Sequence, residues 1–318
     1  MPASVLTNAG SRVVCVTGMH RSGTSLAARA VNLLGVFFGS PSSLMPPGSD
    51  NPAGYWENRA VKELDDELLA HLGGTWDVPP VLAKGWELDP SLDHLRTRAA
   101  GILERDLELA AARGLVGWKE PRLSVLLPFW RTVIPIHATV LVIRDPREVT
   151  ASLQTRNQMP VAEASLLWLR YVLAVAADAP DHVLVRHQDL IDDLPGTLAT
   201  LAAGLGLPAP DARTLEAVDQ HVDPSLRHHT AMPGPIDQEH PMLQLALAVW
   251  NDGDLEVAAL PEALTASLAQ GWLGSPGNRE AESLARAEAV DLRERLRKRN
   301  RQLRALSDPG ADGVEPSP

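Results

Sequence analysis

A short strand that breaks into a glycine-bounded loop and then into a helix is the feature that most constrains this sequence. The run Val13 to Thr17 predicts a buried strand, and the largely apolar run Thr24 to Leu34 predicts a helix. Gly18 to Gly23 form the loop between them. Backbone N–H groups of such a loop and the positive end of the helix dipole suit a phosphate or sulfate group. The pattern predicts an anion site, although a plain strand-to-helix turn has a similar composition.

The residues inside this loop narrow the choice of anion. A Walker A loop has a lysine directly before its final serine or threonine. Here Gly18, Gly23 and Ser25 fit that frame, but Thr24 occupies the lysine position. The positively charged residue of this loop is instead Arg21, three positions earlier. We therefore expect an anion other than the phosphates of a typical Walker A ligand.

Composition and charge exclude several classes of protein. The 318 residues are 45% hydrophobic and 22% charged, which is enough for one large core. The single cysteine, Cys15, excludes a disulfide framework and a cysteine metal site. A net charge of −11 argues against general nucleic-acid binding, but a local arginine pocket can still hold an anion. With no long apolar run and no leader-like start, we expect a cytoplasmic protein without a membrane span.

Alternating apolar runs predict the fold class. Strands are predicted at Val13–Thr17, Leu115–Trp118, Thr139–Ile143 and His182–Val185. Helices are predicted at Thr24–Leu34, Arg59–Leu72, Ser91–Arg113, Leu123–Trp130, Pro146–Arg156, Val161–Ala177 and Pro195–Leu205. The alternation indicates an α/β fold, with a P-loop-type parallel sheet flanked by helices and a C-terminal helical extension.

Two long loops and the C-terminal segment complete the organisation. Gly39 to Tyr55 and Val222 to Pro241 are rich in proline or other turn residues and are predicted to be irregular. We expect a main domain over residues 1–275, a charged helix over 276–306 and a disordered tail over 307–318. Interrupted heptads in the charged helix are consistent with a solvated helix or with a homodimer contact.

Charged residues follow two further strands. Arg144 ends one strand, and Ser152 lies eight residues later in the next helix. Lys119 ends another strand, within the run Trp-Lys-Glu-Pro-Arg. Because ligands lie beyond the carboxyl ends of parallel strands, Arg21, Lys119 and Arg144 are expected to converge there. These charged residues also allow two other interpretations. Lys119 can form a surface ion pair with Glu120, and Asp145 can bind magnesium.

Taken together, these motifs resemble the sulfotransferases that use 3′-phosphoadenosine 5′-phosphosulfate (PAPS). The loop resembles their 5′-phosphosulfate loop, Arg144 with Ser152 resembles their 3′-phosphate element, and the Lys-Glu-Pro-Arg run resembles a Lys-Asp-Pro element of tyrosylprotein sulfotransferases and bacterial relatives. The resemblance runs from about Arg12 to Trp250. It implies the following donor-binding residues: Gly18, Arg21, Ser22, Gly23, Thr24, Ser25, Arg144, Ser152 and, in the late loop, Arg227.

The resemblance also implies the catalytic groups. Glu57, in the run Gly-Tyr-Trp-Glu-Asn, matches the glutamate that takes the acceptor proton in bacterial and Golgi-type enzymes. His20 is its competitor, because cytosolic relatives use a histidine. Lys119 and Arg21 would stabilise charge on the leaving group, and no metal is implied. Glu57 can alternatively be a carboxylate that stabilises the dipole of the following helix, with Asn58 as the helix cap.

The expected function is transfer of a sulfuryl group from PAPS to an acceptor hydroxyl, on a saccharide or small metabolite. Two alternatives remain open at this point. One is a P-loop kinase or other phosphotransferase, and the other is a non-catalytic PAPS-binding scaffold that assembles through its C-terminal helix.

Overall fold

Four parallel strands form the centre of the protein. In the computed structural model they are β1 (Arg12–Thr17), β2 (Leu115–Lys119), β3 (Ile136–Ile143) and β4 (Val183–Arg186). They pair in the order β2-β1-β3-β4, and each neighbouring pair is parallel. All four carboxyl ends therefore lie at one edge of the sheet. The predicted parallel sheet is confirmed, and β3 begins three residues before its predicted start.

Helices connect these strands and follow the last one. The structure describes residues 12–48, 51, 54–110, 115–220 and 240–252, together with positions 287, 290, 291, 294, 295 and 298. The helices are α1 (Thr24–Leu33), α2 (Arg59–His71), α3 (Asp93–Ala110), α4 (Leu123–Val133), α5 (Pro146–Asn157), α6 (Val161–Asp178), α7 (Asp189–Asp192), α8 (Leu194–Gly204), α9 (Ala212–Asp219) and α10 (Pro241–Asp252). Two short 3-10 helices, Trp86–Leu88 and Pro90–Leu92, precede α3.

Both faces of the sheet are covered. Successive side chains of a strand point to opposite faces, and in β1 Val13 and Cys15 join one buried apolar cluster while Val14 and Val16 join the other. The first cluster includes residues of α2, α3, α4, α6 and α10, and the second includes residues of α1 and α8. This arrangement explains why the strands are apolar without alternation, as expected for a parallel sheet between helices.

Helices α7, α9 and α10 have no counterpart among the sequence predictions. Helix α10 packs against α6 and α5, and Met242 to Val249 are all buried there. Because this run is buried on every side and apolar except at Gln244, it carries no clear helical period for a sequence pattern to detect. The predicted loop Val222 to Pro241 lies almost entirely outside the described residues. The charged helix over 276–306 and the tail over 307–318 also lie outside them, apart from the isolated positions given above.

Candidate active site

The loop between β1 and α1 requires glycine at both ends. Gly18 has φ +142°, and a Cβ there would lie 2.1 Å from the Val142 carbonyl oxygen. Gly23 has φ +83°, and a Cβ there would lie 2.0 Å from the His187 ring. Only glycine satisfies both the conformation and the space. The predicted glycine frame is therefore a steric necessity at the carboxyl end of β1.

The N-terminus of α1 carries no side-chain cap. Gly23 is the N-cap residue and provides no side-chain hydrogen bond, whereas Asn58, Asp145, Asp193 and Asp211 cap α2, α5, α8 and α9. The first N–H groups of any α-helix have no partner inside the helix. An anion at this end of α1 would satisfy these donors and would also meet the positive end of the helix dipole.

Buried hydroxyl groups also line this loop. Ser22 and Thr24 are buried, and Ser22 Oγ makes no hydrogen bond with the described residues. An unpartnered buried hydroxyl is costly, so its place beside the open helix end fits a bound anion. Ser25 behaves differently, since its Oγ donates to the Tyr55 carbonyl (3.2 Å) and accepts from Asn51 Nδ2 (3.1 Å). Ser25 thereby ties the segment before α2 to the glycine loop.

Arg21, Arg144 and Ser152 are brought together at the carboxyl end of β3. Arg21 Nε donates to Ser152 Oγ (2.9 Å), and Arg144 Nη1 donates to the Arg21 carbonyl oxygen (3.4 Å). Arg144 Nε also pairs with Glu148 Oε2 (2.5 Å). Arg21 adopts the left-handed conformation (φ 69°), which is uncommon outside glycine and costs energy. The structure thus brings together Arg21 and Arg144, two of the three cations that were expected to converge at this edge of the sheet.

Asp145 acts as a helix cap. Its carboxylate accepts a hydrogen bond from Arg147 N (2.8 Å) at the start of α5. Burial raises the pKa of Asp145, and the hydrogen bond from Arg147 opposes that rise. Within the described residues, no group of three or more His, Cys, Asp or Glu side chains is arranged to hold a metal ion. The helix cap thus accounts for the position of the Asp145 carboxylate.

Glu57 and Lys119 form a buried ion pair between the start of α2 and the end of β2. Lys119 Nζ donates to Glu57 Oε1 (2.6 Å), with the side chains 4% and 11% exposed. Glu57 Oε2 makes no hydrogen bond with any described residue and is therefore open to a second donor. The surface pair of Lys119 with Glu120 that the sequence allowed is not formed. Glu120 is only 1% exposed and pairs instead with Arg122 (2.7 Å).

The backbone around Glu57 is held on both sides. Asn58 caps α2 as predicted, since its Oδ1 accepts from Ala60 N (3.0 Å) and Val61 N (3.4 Å). Met45 N donates to the Glu57 carbonyl oxygen (2.8 Å). Trp56 has φ 61°, a second non-glycine residue in the left-handed region, directly before Glu57. Glu57 therefore lies outside the helix, on a constrained turn that faces β2.

His20 lies inside the glycine loop against two aromatic rings. Its ring centroid is 4.6 Å from that of Trp76 and 5.7 Å from that of Tyr171, and its buried Nε2 has no hydrogen-bond partner among the described residues. Burial lowers the pKa of His20 well below its usual value, and the charges of Arg122, Lys119, Arg156 and Arg21 lower it further. The imidazole is consequently neutral near pH 7.

Two further charged residues of this site went unrecognised in the sequence. Arg122 Nε pairs with Asp66 Oδ1 (2.6 Å), and its Nη1 pairs with Glu120 as described above. Burial raises the pKa of Glu120, and the charge of Glu57 raises it further. Glu120 and Arg122 belong to the same Trp-Lys-Glu-Pro-Arg run as Lys119, so that run was a usable signal. Arg227, the remaining predicted donor contact, lies outside the described residues.

The similarity of this chain to known proteins is found among solved structures. A scan against models of protein families finds no match, and a search of curated proteins finds none. Among the helices in the described part of the chain, none is long and apolar enough to cross a membrane. The chain is similar to several solved structures, two of which are described next. One is the sulfotransferase domain of the olefin synthase from Synechococcus PCC 7002, with 17% identity over 84% of this chain and 95% of that chain (TM-score 0.42). The other is sulfotransferase STF1 from Mycobacterium tuberculosis H37Rv, with 20% identity over 66% of this chain and 71% of that chain (TM-score 0.39).

Proposed function

We propose that this protein is a sulfotransferase that transfers the sulfuryl group of PAPS to the hydroxyl of a small molecule or saccharide. The observation that carries the proposal is the buried Glu57–Lys119 ion pair, which lies beside an open helix N-terminus and a cluster of arginines. A carboxylate with one free oxygen can take a proton, and the neighbouring ammonium can stabilise negative charge.

Two anion sites at one sheet edge match a donor with two separate anionic groups. The first is the end of α1 with Ser22 Oγ, and it suits the 5′-phosphosulfate. The second is formed by Arg144 and Ser152, which Arg21 links to the glycine loop, and it suits the 3′-phosphate because arginine donors bind phosphate oxygens in a fixed geometry. When bound, PAPS would supply an activated sulfuryl group attached to a good leaving group.

The chemical steps follow from the positions of the side chains. Glu57 would accept the proton of the acceptor hydroxyl at Oε2, which increases the nucleophilicity of that oxygen. Lys119 and Arg21 would donate to oxygen atoms on which negative charge grows, as cations do in phosphoryl transfer. Burial and four neighbouring cations oppose a positive charge on the imidazole of His20, so we assign the role of base to Glu57 rather than to His20.

A titration with adenosine 3′,5′-bisphosphate, without added metal, tests the donor assignment. A ligand at ~100 times its Kd that binds only the folded state adds about 2.7 kcal/mol. For a chain of this size, the melting temperature should rise by about 5–10 °C. Stabilisation by 5′-AMP should be smaller, since it lacks the 3′-phosphate, and ATP with magnesium should bind weakly.

Arg144→Ala tests the 3′-phosphate site directly. The variant should bind both nucleotides with similar affinity while the fold is retained, because the side chain lies at a strand end outside the core. Arg213→Ala, which removes an exposed arginine on α9, is the matched control and should keep the difference between the nucleotides. Equal stabilisation of the unmodified protein by 5′-AMP would contradict the proposal, and tighter binding of ATP with magnesium would favour a phosphotransferase.

A further inference from the structure

One buried carboxylate oxygen joins the two chain segments that carry Glu57 and Lys119. Asp106 lies on α3 and is 3% exposed. Its Oδ2 accepts from Asn58 Nδ2 (2.8 Å) and from Trp118 Nε1 (2.9 Å). Asn58 directly follows Glu57, and Trp118 directly precedes Lys119. A single atom therefore fixes the positions of both chain neighbours of the ion pair.

The hydrogen bonds of Asn58 explain why asparagine stands at this position. Its Oδ1 caps α2 by accepting from Ala60 N, while its Nδ2 donates to Asp106. Serine, threonine or aspartate would also cap the helix. None of these can cap α2 and at the same time offer the second amide donor, and aspartate would add a like charge beside Asp106. The choice of side chain thus satisfies Asp106 in addition to the helix.

Trp118 provides the second donor from within the core. Its ring is buried and packs against Trp130, with the centroids 5.0 Å apart. Burial raises the pKa of Asp106 above its usual value, and the hydrogen bond from Trp118 opposes that rise. The two N–H donors are the partners that make a carboxylate tolerable at this depth.

We propose that Asp106 is a positioning residue that sets the separation of Glu57 and Lys119 through Asn58 and Trp118. This inference rests on the proposed sulfotransferase function. Neither donor forms a hydrogen bond with the side chains of the ion pair, so the effect passes through the adjoining backbone. Reacting groups held in the correct geometry provide a large part of enzymatic rate acceleration, and a displacement of about 1 Å can cost about 10²-fold.

The chain contains a matched pair of residues for a control. Trp130 Nε1 donates to Asp65 Oδ1 (2.8 Å), and both residues are fully buried. The donor and acceptor atoms are of the same types as those of Trp118 and Asp106. However, neither Trp130 nor Asp65 adjoins Glu57 or Lys119 in the chain. Trp118→Phe and Trp130→Phe therefore each remove a hydrogen bond from an indole N–H to a buried aspartate. Only Trp118 is a chain neighbour of a residue of the ion pair.

The test measures steady-state kinetics with PAPS and the best acceptor from a panel of simple phenols and monosaccharides. Trp118→Phe and Asn58→Ser, the latter retaining a helix cap, should each lower kcat about tenfold, with KM for PAPS changed less than about twofold. Trp130→Phe should melt at a lower temperature, like Trp118→Phe, but keep kcat within about twofold. Asp106→Asn retains an oxygen acceptor, so this variant should keep most of the activity of the unmodified protein.

A Lys119→Met background supplies a readout that a purely structural role would not change. Without the lysine there is no pair to align, so Trp118→Phe should no longer lower the residual kcat, although it should still lower the melting temperature. Persistence of the same fold-loss in that background would overturn the inference. Loss of kcat in Trp130→Phe equal to that in Trp118→Phe would also overturn it.

The two proposals fail in different ways. If the unmodified protein neither binds adenosine 3′,5′-bisphosphate nor releases it from PAPS, the proposed function fails, and the role of Asp106 fails with it. If the unmodified protein turns over while Trp118→Phe and Asn58→Ser match it, only the positioning role fails.

Discussion

Removal of one partner of the Glu57–Lys119 pair should reduce both stability and activity. The Nζ–Oε1 distance is 2.6 Å, and the side chains are 4% and 11% exposed, so either substitution leaves an unpaired charge at a largely buried position. Breaking a buried pair costs about 3–5 kcal/mol. Because Glu57 is slightly exposed, we expect the lower end, about 3 kcal/mol, which corresponds to a melting temperature lower by about 6–12 °C.

The assay compares Glu57→Gln, Lys119→Met and the double variant by thermal unfolding at neutral pH. The double variant contains no unpaired charge, so its loss of stability should be smaller than the sum of the two single losses. The difference, which is the coupling free energy, should be about 1.5–3 kcal/mol. Lys62→Met is the control, because its i,i+4 partner Asp66 is 41% exposed and Lys62 is 27% exposed. Exposed pairs of this kind contribute about 0.3–0.5 kcal/mol, so the control should melt near the unmodified protein.

Activity separates a base from a structural carboxylate in the same variants. Glu57→Gln should lower turnover by about 10²–10⁴ while affinity for adenosine 3′,5′-bisphosphate stays nearly unchanged. Single variants that melt within about 2 °C of the unmodified protein would show that the ion pair contributes little, against the magnitude expected for burial. Full turnover in Glu57→Gln, together with its loss in His20→Ala, would move the base to the loop histidine.

Two further variants test the steric and electrostatic reasoning. Gly23→Ala should lose about 2–4 kcal/mol and most nucleotide affinity because its Cβ meets the His187 ring, whereas Gly35→Ala, at φ +107° with open space, should lose about 1 kcal/mol; equal losses on thermal unfolding would contradict the clash. Burial and the Glu120 charge hold the pKa of Asp65 well above its usual value, so the native state retains a proton that the unfolded state loses, and stability falls as pH rises above ~4. Asp65→Asn should therefore raise the melting temperature more at about pH 7.5 than at about pH 5, and the reverse trend would contradict this assignment.

The sequence predicted most of the fold because its signals are local. Each of the four predicted strands occurs, and each predicted helix begins within two residues of its observed start. Proline at the first position of α5 and glycine before α1 are boundary signals that do not depend on tertiary contacts. Helix α10 was not predicted, because burial on all sides removes the periodic pattern from its sequence.

The sequence predicted only part of the site, because many of its contacts join residues that are far apart along the chain. Parallel topology places strand ends together, so the approach of Arg21 to Arg144 followed from the order of the strands along the chain. The partner of each charged group did not follow. Lys119 could pair with Glu120 or with Glu57, and only the tertiary placement of the segment before α2 at the end of β2 decides between them. Asp106 is a polar residue within a helix, and no spacing rule links it to Asn58 or Trp118.

Energetically costly features lie at the edge of the sheet where we propose the two anion sites. Arg21 and Trp56 adopt left-handed backbone conformations, and Ser22 Oγ and His20 Nε2 are buried without a hydrogen-bond partner in the described part of the chain. Such features persist when the surrounding structure enforces them, and here two apolar clusters hold β1, α1 and α2 in place. An anion bound at α1 would satisfy Ser22 Oγ and the helix N–H groups together. Its binding energy would offset strain that the folded chain already carries, which is the behaviour expected of a site shaped for its ligand before the ligand arrives.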